Sequence, residues 1–357
     1  MRPTRRVNIS QVAAASGLGV GTVSRVLNGS GKVSAETRAR VLAVIESLGY
    51  RPSRLAAALS RGSTQTVAIV VPFLTRPSVV ARLAGAIGVL EAEGYGTVVC
   101  NVESPEQRDR HLADLADRHR ADGVVLVSLP INAVQSEAFK RSGVPVVLVD
   151  AHAPDVPQIV VDDRLGGQLA TEHLIGFGHR RIAFVGDRLG PAAGAGLGFS
   201  SSRHRLAGYR RALRAAGIAP DRVLERAVPH GSDAAGGELE TLLTLAERPT
   251  AIVAASDTQA IGVLAAAERA GVGVPGELSV IGYDDIEAAG LLGLSTVRQP
   301  LAESGARGAA LLCALLRGEV VAPRRESLAL EVVARRTTGP LRRPAARRAP
   351  VDEEVGA

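Results

Sequence analysis

Several chemistries are excluded by what this 357-residue chain lacks. Only two cysteines occur, Cys100 at an expected strand end and Cys313 in an expected helix. They suit reduced, buried thiols better than a disulfide or a metal pair. The seven histidines are scattered without ligand spacing, so no metal and no other cofactor is expected. No apolar run approaches the ~18 residues of a membrane span. The opening Met-Arg-Pro-Thr-Arg-Arg superficially resembles a signal-peptide start, but polar Asn8, Ser10 and Gln11 follow where an apolar stretch should be. A cytoplasmic protein is therefore expected. There is no Gly-x-Ser-x-Gly elbow and no P-loop lysine motif, and Asp284-Asp285 lacks an identified acid-base partner at fixed spacing, which argues against an enzyme. Lysine is nearly absent as well, with two among 42 basic residues, a compositional bias without mechanistic weight.

The charge that is present is unevenly placed. Residues 1–61 hold ten basic residues against two acids, a net charge of +8, whereas the whole chain carries +6 and residues 62–357 therefore carry −2. A basic head on a near-neutral body is the footprint of a phosphate-binding module, because each neutralised phosphate releases condensed counterions. The same segment reads as short helices over Ile9–Ser16, Val20–Asn28, Ser34–Leu48 and, led by a proline, Pro52–Leu59. Asn8 and Gln11 stand three apart as in a capping box, and Gly17 ends the first helix. In the second, Val23, Val26 and Leu27 share one face, leaving Val20, Gly21, Ser24 and Arg25 outward. A recognition helix presents such a face to the major groove.

Three runs are more specific: Gly19-Val-Gly-Thr-Val-Ser-Arg-Val-Leu-Asn-Gly29, Val33-Ser-Ala-Glu-Thr-Arg38 and Leu48-Gly-Tyr-Arg-Pro-Ser-Arg-Leu-Ala-Ala-Ala-Leu59. Together they resemble the headpiece of the lactose-repressor (LacI/GalR) family of bacterial transcription regulators. The resemblance implies DNA contacts from Ser10, Val20, Gly21, Thr22, Ser24, Arg25 and Asn28 in the headpiece, and from Arg54, Leu55, Ala56 and Leu59 in a hinge helix. That hinge has barely two turns, whereas an isolated helix needs about 12–15 residues to be even marginal in water. Folding of paired hinges only on DNA, with Leu59 wedged into the central base step of a palindromic duplex, is what the resemblance implies.

From residue 64 the pattern becomes strand and helix in alternation. Runs Thr66–Val71, Gly96–Cys100, Gly123–Val127, Val144–Val149 and Ile159–Val161 read as strands, with helices such as Ser78–Glu93 and Glu106–Arg118 between the earlier ones. Strands Arg181–Val185, Ala251–Ala255 and Leu278–Gly282 with helices Arg203–Ala216, Ala234–Glu247 and Thr258–Ala270 repeat the scheme. The expected fold class is α/β: an all-α helix-turn-helix headpiece (1–51), a hinge and linker (52–63) and a two-lobed, doubly wound core (64–339) like the periplasmic binding proteins. Lobe 1 is expected over about 64–162 and 296–320, and lobe 2 over about 163–295 and 321–339, so that Leu294–Pro300 and helix Leu301–Arg317 return to lobe 1 and strand Leu328–Ala334 completes lobe 2. Two such lobes form a cleft that can close on a small ligand.

The core motifs Glu172–Gly186, Ser202–Tyr209, Ala254–Asp257, Val280–Asp285 and Ser295–Pro300 carry the same family resemblance. It implies an effector site of Phe73, Asp150, Arg205, Ser256 and Asp284: an arginine fork for a carboxylate or hydroxyl pair, and carboxylates as acceptors, which suits a carbohydrate. Blander readings exist. Asp284 or Asp285 can cap the following turn, and Arg205 can be a surface residue beside Arg203, Arg210 and Arg211. Two departures from the family bear on the effector. The segment 186–202 is long, and its Gly194-Ala-Gly-Leu-Gly198 suits a mobile loop better than a phosphate cradle. At His230-Gly-Ser-Asp233, where relatives often place a stacking aromatic, this chain has His or Gly, and only 3% of all its residues are aromatic. The Pro/Arg/Ala stretch 340–357 reads as a disordered tail without leucine heptads, so a homodimer is expected. The rival functional classes are a non-specific architectural DNA binder, whose affinity would vary little with sequence, and a small-molecule-binding protein without a specific operator.

Overall fold

The computed structural model describes residues 7–28, 33–50, 63–117, 120–188, 197, 199–322 and 325–341. The expected hinge helix Pro52–Leu59 with Arg54, Leu55, Ala56 and Leu59, the glycines of 194–198, and the tail from 342 lie outside these residues.

The headpiece comprises α1 (Ile9–Ser16), α2 (Val20–Asn28) and α3 (Ala35–Ser47). Its first helix starts where two short polar side chains satisfy each other's orphan amides: Gln11 N donates to Asn8 Oδ1 at 3.0 Å and Asn8 N to Gln11 Oε1 at 2.9 Å. It stops at Gly17, whose φ of 67° is left-handed. Val12, Ala13, Val23, Val26, Val41 and Tyr50 then close a small core of their own.

The first sheet contains β1 (Thr66–Pro72), β2 (Gly96–Val102), β3 (Gly123–Val127), β4 (Val146–Val149), β5 (Gln158–Val161) and β11 (Arg325–Leu328), ordered β11-β5-β4-β3-β1-β2 and parallel throughout. Its central strands are continuous valine-rich runs, because both faces are covered. Alternate residues of β1 and β3 enter one core with Leu112 and Phe139, and the others enter a second core with Leu90 and Leu312. The second sheet contains β6 (Ile182–Asp187), β7 (Glu225–Val228), β8 (Ala251–Ala254), β9 (Ser279–Asp284), β10 (Ser295–Arg298) and β12 (Glu331–Val333), ordered β12-β10-β9-β8-β6-β7, with only β12 antiparallel. Helices α4 (Pro77–Ala92), α5 (Pro105–Leu115) and α6 (Ala133–Ser142) join strands of the first sheet. Around the second lie α7 (Asp163–Gly176), α8 (Ser201–Ala215), α9 (Ser232–Leu243), α10 (Asp257–Arg269) and α11 (Glu287–Leu292). The last helix, α12 (Leu301–Leu316), packs on α4, β3, β4 and β5 of the first lobe.

Two details of the expected organisation change. The sequence pattern puts residues from 296 in lobe 1, but β10 pairs with β9 in the second sheet. Ser295 and Thr296 are buried there by specific bonds: Thr296 Oγ1 donates to Asp257 Oδ1 at 2.6 Å and Ser295 Oγ meets Thr338 Oγ1 at 2.8 Å. The chain leaves lobe 2 only at Gln299-Pro300. The sequence pattern puts residues 321–339 in lobe 2, yet β11 extends the first sheet beside β5, and the third crossing falls between 328 and 331.

Candidate functional site

Both sheets have the same internal order, in which the first strand lies between the second and the third. Each has a switch point at the carboxyl end of its first strand, where doubly wound sheets bind ligands. The residues at these ends carry unusual backbone: Phe73 (φ 47°), Ser128 (53°), Asp150 (56°), Asp284 (121°) and Asp285 (59°) all have positive φ without being glycine. Such conformations cost about 1–3 kcal/mol each and collect at functional sites. Between the two sets of strand ends lies a cleft of about 90 Å³, whose lining includes Asp150, Arg205, Ser256 and Asp284.

A chain of polar contacts runs from one lobe to the other through the crossover. Ser128 Oγ donates to Asp150 Oδ2 at 2.8 Å, Arg82 Nη2 pairs with the same oxygen at 3.1 Å and donates to Gln299 Oε1 at 2.9 Å, and Gln299 Nε2 donates to Asp284 Oδ1 at 2.6 Å. Arg205 Nη1 lies 3.9 Å from Asp284 Oδ1, and its Nε donates to Asp163 Oδ1 at 2.8 Å. Burial pushes the carboxyls of Asp150 and Asp284 above the usual range, against the pull of Arg82 and Arg205 respectively.

Arg205 is no surface residue. It is 7% exposed, stacks 3.6 Å over the Tyr283 ring and donates through Nη1 to Ala255 O, while Nη2 bonds nothing among the described residues. Its approach depends on Gly167 in α7, where a Cβ would stand 2.0 Å from Arg205 O. The capping alternatives for the two aspartates also fall. Asp284 receives the Gln299 amide, and Asp285 receives Arg298 at 2.7 Å and Arg335 at 2.7 Å. Ser256 does line the cleft, but its hydroxyl caps α10 by accepting from Gln259 N at 3.3 Å. Phe73 differs from expectation: it backs the wall instead of forming it, because its left-handed backbone turns it toward Phe199 (6.0 Å between centroids) and beneath the Arg76 guanidinium (4.2 Å).

Sequence reasoning missed Arg76, Arg82, Asp187, Phe199 and Gln299 as cleft residues, and His230, singled out for its place among the relatives, lines the cleft too. Asp187 ends β6 and its carboxylate meets His230 Nδ1 at 3.0 Å and Gln259 Nε2 at 3.1 Å. Burial raises its pKa, but the His230 contact and the nearby arginines outweigh this and hold it below the usual value. Strand-end position alone gives a signal for Asp187; nothing local marks Arg82 and Gln299, which are 217 residues apart. Phe199 supplies a phenyl surface to the cleft, and His230 an imidazole.

In the headpiece, Ser10, Val20, Gly21 and Arg25 are exposed, and Thr22 and Ser24 are half-buried. Asn28 closes α2. Arg25 folds back along its own helix, donating from Nε to Gly21 O at 3.2 Å and from Nη2 to Thr22 Oγ1 at 3.4 Å. Neither α1 nor α2 has an acid in its first turn, so no carboxylate competes there with a phosphate.

Known proteins share both halves. Residues 8–53 match the bacterial regulatory proteins, lacI family, and residues 171–338 match a periplasmic binding protein-like domain. The ribose operon repressor of Escherichia coli (strain K12) is 34% identical over 311 residues, covering 83% of this chain and 89% of that protein. The HTH-type transcriptional regulator CelR of Thermobifida fusca is 34% identical over 346 residues, covering 94% and 99%. Among solved structures, the Lac repressor dimer bound to operator and the anti-inducer ONPF superposes with a TM-score of 0.80 at 26% identity, covering 94% of this chain and 100% of that one. With a basic three-helix head, a two-sheet cleft and these relatives over nearly its whole length, the chain belongs to the lacI family of bacterial regulatory proteins.

Proposed function

We propose that the protein is a sequence-specific transcriptional regulator, a repressor, whose operator affinity is set by a carbohydrate-type effector bound between the two core lobes. The polar chain from Ser128 to Asp163 carries this reading. It crosses from one lobe to the other through Gln299, so a ligand that competes for Asp150, Asp284 or Arg205 changes the lobe-to-lobe contacts. A ligand shifts such an equilibrium only by its differential affinity for the two arrangements. The relatives' names point the same way, since a ribose operon repressor and a CelR–cellobiose complex are among them.

On the DNA side, Arg25, Val20 and Gly21 form the exposed face of α2, and α2 enters the major groove of a two-fold symmetric duplex. By the family resemblance, Arg54, Leu55, Ala56 and Leu59, which lie outside the described residues, contact the minor groove of the same duplex. A dimer brings two headpieces to one operator. Edge strand β2 and helix α4 supply its contact, leaving Val98, Val99 and Val80 at 49%, 37% and 47% exposure in the single chain. Such a protein works in the cytoplasm, beside the chromosome, and it binds its ligand without transforming it: Asp150, Asp284 and Asp187 are each engaged by an arginine, an amide or a histidine, which suits recognition better than proton transfer.

The test is selection of binding sites from a random duplex library by the full chain at near-physiological salt. Enrichment of one palindrome with a flexible central step is expected. Recovery of unenriched DNA would replace this reading with that of an architectural binder.

A further inference from the structure

We propose that the effector is anionic, bearing a carboxylate or phosphate on a polyhydroxy body, and that Arg76 selects it; this rests on the cleft being the effector site. The argument is one of pairing. Asp150 has Arg82 at 3.1 Å, Asp284 has the Gln299 amide at 2.6 Å, Asp187 has His230 at 3.0 Å, and Asp163 holds Arg205 at 2.8 Å. The Arg76 side chain lines the same cleft, yet its guanidinium makes no ion pair or hydrogen bond among the described residues.

Its environment makes that conspicuous. The guanidinium is half-buried against two phenylalanines, 4.2 Å from the Phe73 centroid and 5.7 Å from that of Phe199. Burial lowers its pKa, and the more distant Asp187 and Asp284 do not restore it. Stacking occupies the faces of the guanidinium and leaves its edge, where all five N–H donors lie, directed elsewhere. A neutral sugar offers such an edge single hydroxyl oxygens. A carboxylate or phosphate offers two oxygens at matching spacing together with the missing charge.

The surroundings are consistent with an anion. Ser78, Ser201 and Ser202 line the cleft from the first turns of α4 and α8, neither of which contains an acidic residue there. Arg188 also lines it, and its Nε donates only to Ala227 O, at 3.3 Å. Among the described residues, Arg76 and Arg188 are thus two cations at the cleft without a carboxylate partner, whereas the cleft carboxylates Asp150, Asp187 and Asp284 are each engaged.

Matched probes test this by calorimetry on the full chain: glucose against gluconate, glucuronate and glucose 6-phosphate, and ribose against ribonate and ribose 5-phosphate. At least one anion should bind about tenfold or more tightly than its neutral parent, the scale of a charge-assisted contact. In Arg76→Gln that ratio should collapse toward one, and in Arg76→Lys it should survive in part. Carboxylate and phosphate probes separate the two sources of charge. Should Arg76→Gln fail to fold, the wild-type ratios still decide. Neutral parents binding as well as their acids, or a preference that survives Arg76→Gln, would overturn the assignment and leave the cleft reading standing. Absence of binding by every probe, neutral and anionic, would overturn both.

Discussion

Gln299 is 4% exposed and its side chain bonds a charged group of each lobe, Arg82 and Asp284, so Gln299→Met is a sharp perturbation of the interlobe connection. Methionine keeps the length and removes both hydrogen bonds. Each bond to a charged group contributes about 1.5–3 kcal/mol, giving a ceiling of roughly twice that for the pair. Two reliefs lower it: Arg82 keeps Asp150 at 3.1 Å, and Asp284, already held above the usual carboxylate range by burial, can take up a proton. The expected loss is about 3–4 kcal/mol in the stability of the core. The Gln299 amide favours ionised Asp284, so its removal raises the folded pKa of that carboxyl further. The penalty must therefore grow as pH rises and shrink in acid, where Asp284 is protonated in both proteins. Urea denaturation of wild type and variant at pH 5 and pH 8 measures this. A difference below about 1 kcal/mol, the same at both pH values, would refute the claim that the bridge carries energy between lobes.

Gly167→Ala places a Cβ 2.0 Å from Arg205 O, and we expect a loss of about 1–3 kcal/mol in thermal unfolding together with weaker ligand-induced stabilisation, because α8 must move and take Arg205 with it. Arg25→Ala should lose about 1–3 kcal/mol on the preferred duplex but little on random DNA; equal losses on both would make Arg25 a phosphate contact. Asp257 is pushed up to about 8, by burial first and by Asp284 second, from an ordinary value of 3.8. The folded protein thus holds a proton that the unfolded chain releases, so stability falls as pH rises between those values and levels off above about 8. Asp257→Asn, neutral throughout, should flatten that decline in melting temperature, and an unchanged slope would assign it to another group.

Much of this arrangement could be read from the chain because its signals are local. The Asn8–Gln11 box lies three residues apart, the valine runs of β1, β3 and β4 announce buried parallel strands, and Asp150 and Asp284 directly follow or end such runs. The lobe of strand β10 is not legible in the sequence, because Ser295-Thr-Val-Arg298 owes its place to hydroxyl bonds with Asp257 and Thr338, not to apolar content. Strands β7 and β11 are polar edge strands whose sequences, Glu-Arg-Ala-Val and Arg-Glu-Ser-Leu, lack a core-facing run. Arg82 and Gln299 meet only through tertiary structure, and Arg76 gains meaning only once Phe73 and Phe199 are seen around it.

The most direct test of the whole account is the affinity of the full chain for its selected palindrome, by fluorescence anisotropy at fixed salt, with and without the carbohydrate that most raises its melting temperature. Coupling of the usual size, about 1–3 kcal/mol, predicts a change of roughly 5- to 150-fold in Kd on saturation. An unchanged Kd with the cleft demonstrably occupied would contradict the claim that the two lobes report their ligand to the DNA.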